Sequence, residues 1–486
     1  MSHLTTINHI DESLLVNGYE VIIGLEVHAE LATKTKMFCS CQNQFGGEPN
    51  TNVCPVCLGL PGSMPVLNEQ AVEIAIRVGA ALGCSVEESV FSRKNYFYPD
   101  MPKNYQTSQY DLPIDVGGEL EIPMGITIGI ERAHLEEDTG KNTHMGGGGR
   151  IHDAEYSLVD YNRSGVPLLE IVSRPDMRSA EQAKQYVSEL RAILVTIGAS
   201  DGKMEEGSMR VDANVSVHKP GDPWGKRCEI KNVNSLRSLG RAIDYEVERQ
   251  IQLIESGGEV EQQTRHWNEN EGRTSFGRSK EEAYDYRYFP EPDLVPVAPS
   301  AEWKQAVRDN LPELPASRRA RLTELAPDVT PDAIVTVVDL NLDNTLIFAA
   351  IEAGADARTA INRAANELAG NLEAAAKLDV AAFAKLVTLE TGSKLTATQA
   401  KQVLAEMLEN GGDPEAIAAA KGFEALDESA LQTTVDEILA AHPDELQRMK
   451  DGDQKLMGFF TGKVMAATKG KADGKVVAAM LRAHLS

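Results

Sequence analysis

The sequence predicts an α+β fold in which a mixed first part is followed by an all-helical second part. Between about residues 19 and 298, apolar β-branched runs alternate with stretches of helical periodicity, as expected for a domain built around a large sheet. After about residue 299 the chain is rich in Ala, Leu, Glu and Lys, and its apolar residues recur at helical spacing. A chain of 486 residues exceeds one ordinary core, so its length predicts two to four domains.

The elements follow from these patterns in chain order. Apolar, β-branched runs predict strands at 20–31, 126–136, 166–173 and 211–217. Helical periodicity predicts helices in the first part at 68–82, 179–197 and 238–256, and in the second part at 356–378 and 397–412. The last of these ends in two glycines that can cap a helix. We therefore expect an N-terminal extension and three domains, at 1–18, 19–298, 299–422 and 423–486.

The charge balance restricts the classes of function. With 73 acidic and 48 basic residues, the formal net charge is −25, which disfavours a general polyanion binder but leaves room for a local basic patch. Residues 1–18 lack an apolar signal core and no apolar run approaches bilayer length, so we expect a cytoplasmic protein with no membrane partner. Six cysteines in so long a chain do not form a disulfide scaffold.

The first predicted strand carries an unusual set of polar residues. Glu26, His28 and Glu30 occupy every second position, so one face of an otherwise apolar strand gathers two carboxylates and an imidazole. Further carboxylates stand in or beside other apolar strands, at Glu136, Glu137, Asp138, Glu170 and Glu229. A buried carboxylate is costly unless it is paired or bound to a metal, so convergence of these residues would suit Mg²⁺ or Mn²⁺. For any single residue, an exposed or salt-bridged carboxylate is the simpler interpretation.

A second cluster has the spacing of a metal site. Cys39, Cys41, Cys54 and Cys57 form C-x-C…C-x-x-C around a Gly-, Asn- and Pro-containing loop. Four thiolates would fill a zinc coordination sphere, which indicates a structural zinc site rather than a catalytic one. The alternative is four ordinary reduced thiols. Cys84 and Cys228 stand alone and are expected to be buried thiols.

Two basic regions are candidates for contact with nucleic acid. Residues 91–109 interleave Arg93, Lys94 and Lys103 with aromatic residues including Tyr105, a pattern that can hold phosphates and stack bases, or else form a loop at the edge of the core. The extreme C-terminus reverses the charge of the chain, with Lys463, Lys469, Lys471 and Lys475 among its cations. These cations form either a phosphate contact or a solvated helix face. Residues 144–150 are predicted to be a flexible glycine-rich loop.

Several stretches together resemble one known family. They are "GLEVHAEL", "CPVCLGLPGSMPVLN", "RKNYFYPDMPKNYQTSQ", "HLEEDTGK", "YNRSGVPLLEIVS", "MEEGSMRVDANVSV", "EIKNVNSLRS" and "DYRYFPEPDL", in this order. The chain is similar over about residues 19–486 to the B subunit (GatB family) of the tRNA-dependent amidotransferases that form Asn-tRNA and Gln-tRNA. The resemblance implies a large mixed-sheet cradle domain that carries the catalytic site, followed by helical and tail domains. The chain departs from the family pattern at "KGKADGKVV" in the tail and in its longer glycine-rich loop.

The resemblance also implies an activity and its partners. A protein of this family would use ATP and Mg²⁺ to phosphorylate the side-chain carboxylate of Glu-tRNA(Gln) or Asp-tRNA(Asn). An amidase subunit (A) would supply ammonia from glutamine through a tunnel, and a small subunit (C) would complete a heterotrimer. Matching the family motifs places Glu26, His28, Glu137 and Glu229 at a Mg²⁺ site, with Glu170 and Lys94 as further catalytic residues. Arg93, Lys103 and Tyr105 would contact the tRNA acceptor end, and the tail lysines the tRNA body.

Two other interpretations remain open. A zinc-containing RNA-binding or assembly protein would need no chemistry of its own, but it would have no reason to gather carboxylates on strands. A self-sufficient amide synthetase would need its own glutaminase, yet the sequence shows no G-x-S-x-G and no cysteine outside the zinc set with an evident histidine partner. A Walker-type loop is also absent, so ATP would have to bind in another way.

Overall fold

The computed structural model divides the chain into two compact units, Met1–Pro315 and Ala316–Ser486. It describes residues 12–146, 154–279, 286–423, 428–450, 453, 455–468 and 474–484, with only the backbone described at 278–279, 428–430 and 474–475. The predicted N-terminal extension and glycine-rich loop therefore lie largely outside the described residues. Each unit is considered by itself.

The first unit is built on a large mixed sheet. Its strands are β1 Glu20–Glu30, β2 Ser85–Val86, β3 Val90–Asn95, β4 Tyr105–Leu112, β5 Asp115–Val116, β6 Glu119–Ile122, β7 Ile126–Glu137, β8 Lys141–Met145, β9 Tyr156–Asp160, β10 Pro167–Ser173, β11 Met209–His218, β12 Cys228–Val233, β13 Gln263–Asn268, β14 Arg273–Ser279 and β15 Phe289–Pro290. Thirteen of them form one sheet with the main order β14-β13-β12-β11-β1-β10-β7-β4-β3-β15, while β8 and β9 form a separate hairpin. Within the described strands, only the β12–β13 pairing is parallel.

Among the described residues, the α-helices of this unit are α1 Glu69–Ala81, α2 Ala180–Thr196, α3 Leu236–Glu255 and α4 Ala301–Asp309. The first three begin at Asn68, Ser179 and Ser235, whose side chains accept backbone N–H hydrogen bonds from the first turn. The core contains the odd-numbered residues of β1, such as Leu25 and Val27, together with apolar residues of the first three helices. Because side chains alternate along a strand, the even-numbered residues of β1 face the other side of the sheet. That side carries the polar residues.

Where the structure describes it, the second unit contains helices and no strands. Its helices are α5 Pro315–Leu325, α6 Pro331–Asp339, α7 Phe348–Glu352, α8 Ala357–Arg363, α9 Leu372–Ala375, α10 Val380–Thr391, α11 Ala397–Asn410, α12 Pro414–Ala420, α13 Glu428–Ala441, α14 Pro443–Lys450, α15 Lys455–Ala467 and α16 Gly474–Ala483. Their buried apolar residues form two separate clusters, one from Leu322 to Ala418 and one from Leu431 to Leu481. In the first cluster, the fully buried Arg318 pairs with Asp343 at 3.0 Å.

The predicted fold class is confirmed, since a mixed sheet is followed by helices alone. The predicted strands correspond to β1, β7, β10 and β11, and the predicted helices to α1, α2, α3 and α11, with small shifts at the ends. The segment 356–378 is interrupted: α8 continues as a π-helix at Ala364–Leu368 before α9 begins. The first compact unit extends to Pro315 and includes α4, whose Val307 lies in the first core. The domain boundaries inferred from sequence stay a prediction.

Within the described residues, no single helix has the length and apolarity needed to cross a membrane. Helix α6 reaches them only jointly with Asp343–Glu352, which is a π-helix at Asp343–Ile347 followed by α7, and this pair is bent by 86°.

Candidate active site on the polar face of the sheet

The first group of candidate residues forms where β1, β10 and β7 lie side by side. The register places His28 opposite Glu170, and Glu170 opposite His134. The Nε2 atom of His28 lies 3.5 Å from Glu170 Oε2 and 3.6 Å from Glu136 Oε1. His28, Glu136 and Glu170, here called the histidine group, offer ligand atoms within 4.8 Å of one another.

Charge within the histidine group is strongly coupled. Burial disfavours the protonated form of His28, but the hydrogen bond and the charge of Glu170 outweigh burial and raise the histidine pKa to about 9. Burial likewise favours a neutral Glu170, but His134 and His28 outweigh it and hold the Glu170 pKa well below its usual range. The imidazole of His28 is therefore protonated at neutral pH in the absence of a metal ion, and a bound cation would take the place of that proton.

A second group lies across the neighbouring strands β1, β11 and β12. Glu26, Asp212 and Glu229, here called the carboxylate group, again offer ligand atoms within 4.8 Å of one another. Lys231 Nζ lies 2.5 Å from Asp212 Oδ2 and 3.3 Å from Glu229 Oε1. Burial and then the charges of Glu170 and Glu229 raise the pKa of Glu26, so this carboxyl group lacks sufficient positive charge nearby.

One cleft of about 350 Å³ contains members of both groups. Besides Lys231, this cleft is lined by the cations Lys94, Arg132 and Arg227, and none of these three forms an ion pair with a carboxylate in the described part of the chain. Lys94 instead lies over the ring of Tyr286, and Arg132 over that of Tyr110. In a chain with a net charge of −25, three cations without acidic partners mark a place prepared for an anion.

The donor atoms fit a hard divalent cation. Both groups present carboxylate oxygens, and the histidine group adds one imidazole nitrogen. Oxygen-rich sets of this kind suit Mg²⁺ or Mn²⁺ rather than a thiophilic metal. Either group could hold such an ion.

Glu137 is not brought into either group. Adjacent residues of a strand point to opposite faces, so Glu136 shares the face of His134 while Glu137 points away. The Glu137 carboxylate pairs with Lys103 and accepts the Thr107 N–H at 2.9 Å. The Mg²⁺ role of Glu137 therefore still rests on the resemblance alone.

The cations of residues 91–109, which were predicted to act in catalysis or tRNA binding, differ in their ion-pair partners. Arg93 forms a bidentate pair with Glu291, at 2.6 and 2.7 Å, and lies 4.2 Å from the centre of the Tyr105 ring. The Lys103 ammonium pairs with the Glu137 carboxylate. Of the cations in this segment predicted to act in catalysis or tRNA binding, Lys94 alone has no acidic partner among the described residues.

The four cysteines converge as predicted from their spacing. Cys57 Sγ lies 3.6 Å from Cys39 Sγ, 3.6 Å from Cys54 Sγ and 3.7 Å from Cys41 Sγ. Four sulfurs placed tetrahedrally at 2.3 Å from zinc would lie about 3.8 Å apart, so the cluster fits this metal. A hydrogen bond from Cys39, assisted by the charge of Lys36, lowers the Cys57 pKa to about 4. Cys84 and Cys228 are buried free thiols, as expected.

Three residues of the site were not identified from the sequence: Asp212, Arg132 and Arg227. Asp212 alternates with Asn214 on β11, and that alternation was a usable signal within "MRVDANVSV". Arg132 and Arg227 gave no such signal, because their role depends on which strands become neighbours. In the tail, Lys463 is exposed on α15, and its ammonium lies 5.5 Å from the Phe459 ring. Lys469 and Lys471 lie outside the described residues, as does the side chain of Lys475.

Comparison with known proteins bears on both units. Residues 21–305 match the model of the GatB/GatE catalytic domain, and residues 346–485 match the GatB domain. The B subunit of the aspartyl/glutamyl-tRNA(Asn/Gln) amidotransferase of Anaeromyxobacter sp. (strain Fw109-5) is 48% identical over 489 residues, covering 97% of this chain and 99% of the relative. The corresponding protein of Nocardia farcinica is 48% identical over 501 residues, covering 99% of both chains. That of Thermobifida fusca is 48% identical over 481 residues, covering 94% and 92%.

Proposed function

The chain belongs to the GatB/GatE family as the B subunit of a tRNA-dependent amidotransferase, and on this premise we propose that it activates the side-chain carboxylate of a tRNA-bound glutamate or aspartate. A carboxylate resists attack by ammonia because its negative charge repels a nucleophile and it offers no good leaving group. Transfer of a phosphoryl group removes both obstacles. The activated group is then amidated to give Gln-tRNA(Gln) or Asn-tRNA(Asn).

The proposed reaction has two steps, phosphoryl transfer and amidation. An oxygen of the substrate carboxylate attacks the γ-phosphorus of ATP, the bond to the β–γ bridging oxygen breaks, and ADP leaves. Ammonia then attacks the acyl carbon of the resulting acyl phosphate. The carbon–oxygen bond to phosphate breaks, inorganic phosphate leaves, and the nitrogen loses a proton to give the amide.

The observation that carries this proposal is the cleft itself. It combines members of both ligand groups with Lys94, Arg132 and Arg227, three cations without acidic partners among the described residues. Phosphoryl transfer depends mainly on positioning and on neutralising the charge of the phosphates. Magnesium, when bound, would supply part of that neutralisation. His28, Glu136, Glu170, Glu26, Asp212 and Glu229 would hold the metal, while the three cations would orient the phosphate oxygens.

The partners follow from the same proposal. An aminoacyl-tRNA would bring the carboxylate into the cleft, and a separate amidase would supply ammonia, with a small third protein completing the assembly. The cysteine cluster supports a structural zinc ion, because four thiolates leave no open coordination position. The cations of the tail would contact the tRNA body.

Replacing one ligand of the histidine group tests the proposal. In the complex with its partner subunits, Glu136→Gln should lower ATP- and Mg²⁺-dependent formation of the activated aminoacyl-tRNA by about a hundredfold or more, since it removes a charge that holds the metal. Glutamine hydrolysis should persist at least in part, because it occurs in another chain. The matched control is Glu131→Gln, an exposed glutamate on the same strand, which should behave like the wild type.

Glu137→Gln separates the geometric assignment from the one based on resemblance. If Glu137 acts through Lys103, activation should fall while the Mg²⁺ concentration that gives half-maximal activity stays unchanged. Glu136→Gln should raise that concentration. If the half-maximal Mg²⁺ concentration rises in Glu137→Gln and not in Glu136→Gln, the metal ligand is Glu137. Normal activation in both variants would refute the site.

A further inference from the structure

A second cleft continues the candidate active site along β1. It has a volume of about 330 Å³, and its lining includes Ile22, Gly24, Pro175, Ser216 and Trp224. Glu26, Arg227 and Gln262 border both this cleft and the one that contains the ligand groups. A ligand lying in the second cleft would therefore reach the carboxylate group directly.

The sequence of β1 explains why the cleft is open. Ile22, Gly24, Glu26 and His28 follow one another on the same face, so an apolar position and a position without a side chain precede the ligand positions. Gly24 has no positive φ, and a Cβ placed there would make only ordinary contacts with Pro175, the nearest at 3.6 Å. Neither backbone conformation nor close packing requires this glycine. Its effect is to leave room on the floor of the cleft.

The lining of this cleft also includes an exposed aromatic ring. Trp224 is 54% exposed, although it belongs to a loop held against β11. Gly225 fixes the loop there, since a Cβ at this position would clash with the carbonyl oxygen of Val217. An exposed indole on an anchored loop is a surface suited to stacking of a planar ring.

Polar groups complete the lining: Ser216 of β11 stands opposite Ile22, and Gln262 lies at the border with the first cleft. Ser216 and Gln262 make no side-chain hydrogen bond within the described residues, so they are free to contact the edge of a base. Arg227 has no carboxylate partner there either, and it stands at the junction of the two clefts. A guanidinium in this place suits a phosphate chain passing from one cleft to the other.

We propose that this second cleft binds the adenine base of a mononucleotide, with the base against Trp224 and the phosphates directed past Arg227 to the ligand groups. The inference rests on the proposed function, since it locates the ATP which that function requires. The 3′-terminal adenosine of tRNA carries the same base. A mononucleotide fits better, because Arg227 is the one lining cation without an acidic partner in the described chain, whereas a polynucleotide takes several phosphate contacts.

Binding of ADP with Mg²⁺ to the complex with its partner subunits tests the cleft. ADP should quench the fluorescence of the wild-type complex, and Trp224→Phe should remove most of that quenching while retaining affinity through the smaller ring. Trp224→Ala should weaken ADP binding by roughly tenfold, the scale of one base–aromatic stack. Gly24→Val, which fills the floor, should weaken ADP at least as much. Trp303→Phe, on α4, is the matched control and should leave the ADP affinity and its quenching unchanged.

Aminoacyl-tRNA binding to the same variants decides the source of the adenine. Unchanged tRNA affinity with weakened ADP binding supports the mononucleotide. Weakened tRNA binding with unchanged ADP binding would assign the cleft to the tRNA terminus and overturn the inference, as would wild-type ADP affinity in both Trp224→Ala and Gly24→Val. Tight ADP binding that is insensitive to these variants leaves the proposed function standing, whereas a wild-type complex that binds no ADP overturns both.

Discussion

Asp115 is a buried carboxyl group whose environment offers no compensation. It lies on β5 with no exposed surface, and neither of its oxygens has a hydrogen-bond partner among the described residues. Gly79 of α1 packs so closely that a Cβ there would overlap the carboxyl group. Burial raises the pKa of Asp115 well above its usual value and so favours the neutral form of this side chain in the folded state.

The raised pKa predicts a pH dependence of stability with a definite sign. The folded state binds the Asp115 proton more tightly than the unfolded state. The free energy of unfolding is therefore highest below the unfolded pKa of about 3.9, and it falls as the pH rises towards the folded pKa. Asp115→Asn should therefore gain stability over the wild type by about 1.4 kcal/mol for each pH unit in this window. Denaturant unfolding of the purified chain between pH 5 and 8 measures the difference. Asp111→Asn, at an exposed position of β4, is the control, and parallel pH profiles for wild type and Asp115→Asn would contradict the argument.

At the scale of elements, strand alternation was readable from the sequence and strand neighbours were not. The period of two correctly put Glu26 and His28 on one face, and it also put Glu136 with His134. The position of β1 between β10 and β11 depends on pairing between residues more than a hundred apart, which no local pattern encodes. Arg227 joins the site only through that pairing and so was missed, whereas Asp212 had a local signal in its alternation with Asn214 on β11.

The cysteine loop is a second element whose order extends beyond its own residues. Gly59 approaches Lys103 so closely that a Cβ there would clash with the lysine side chain. Lys103 in turn pairs with Glu137. Loss of order in the loop would therefore disturb this ion pair, although no cysteine touches the cleft.

Removing one thiolate should reveal a structural metal. The purified protein should contain about one zinc ion per chain, and Cys54→Ser should lower both the zinc content and the thermal midpoint. Ser40→Ala, at an exposed position between the first two cysteines, should change neither. Metal analysis that finds no zinc in reduced protein would refute the site. Lost activity with unchanged stability and zinc content would refute its structural role.

For the whole molecule, the balance of charge sets the problem of binding tRNA. A net charge of −25 repels a polyanion, so binding requires local positive surfaces. The tail forms its own apolar cluster, in which Phe460 and Val464 are buried, while Phe459 remains 37% exposed. Outside that cluster Lys455 and Lys463 are exposed, and neither side-chain ammonium pairs with a carboxylate among the described residues.

Deleting residues 424–486 should therefore weaken binding of aminoacyl-tRNA by at least about tenfold, because it removes these cations together with the separate core that presents them. Ammonia-dependent activation should survive at saturating tRNA, since both ligand groups lie in the first unit. The double variant Lys455→Glu/Lys463→Glu should weaken binding more mildly. It should also reduce the slope of log affinity against log salt concentration by roughly one for each lost phosphate contact. Lys377→Glu, an exposed lysine of the same unit already paired with Glu373, controls for net charge. Equal tRNA affinity of the full-length and truncated complexes at one salt concentration would instead make the tail cations a solvated helix face.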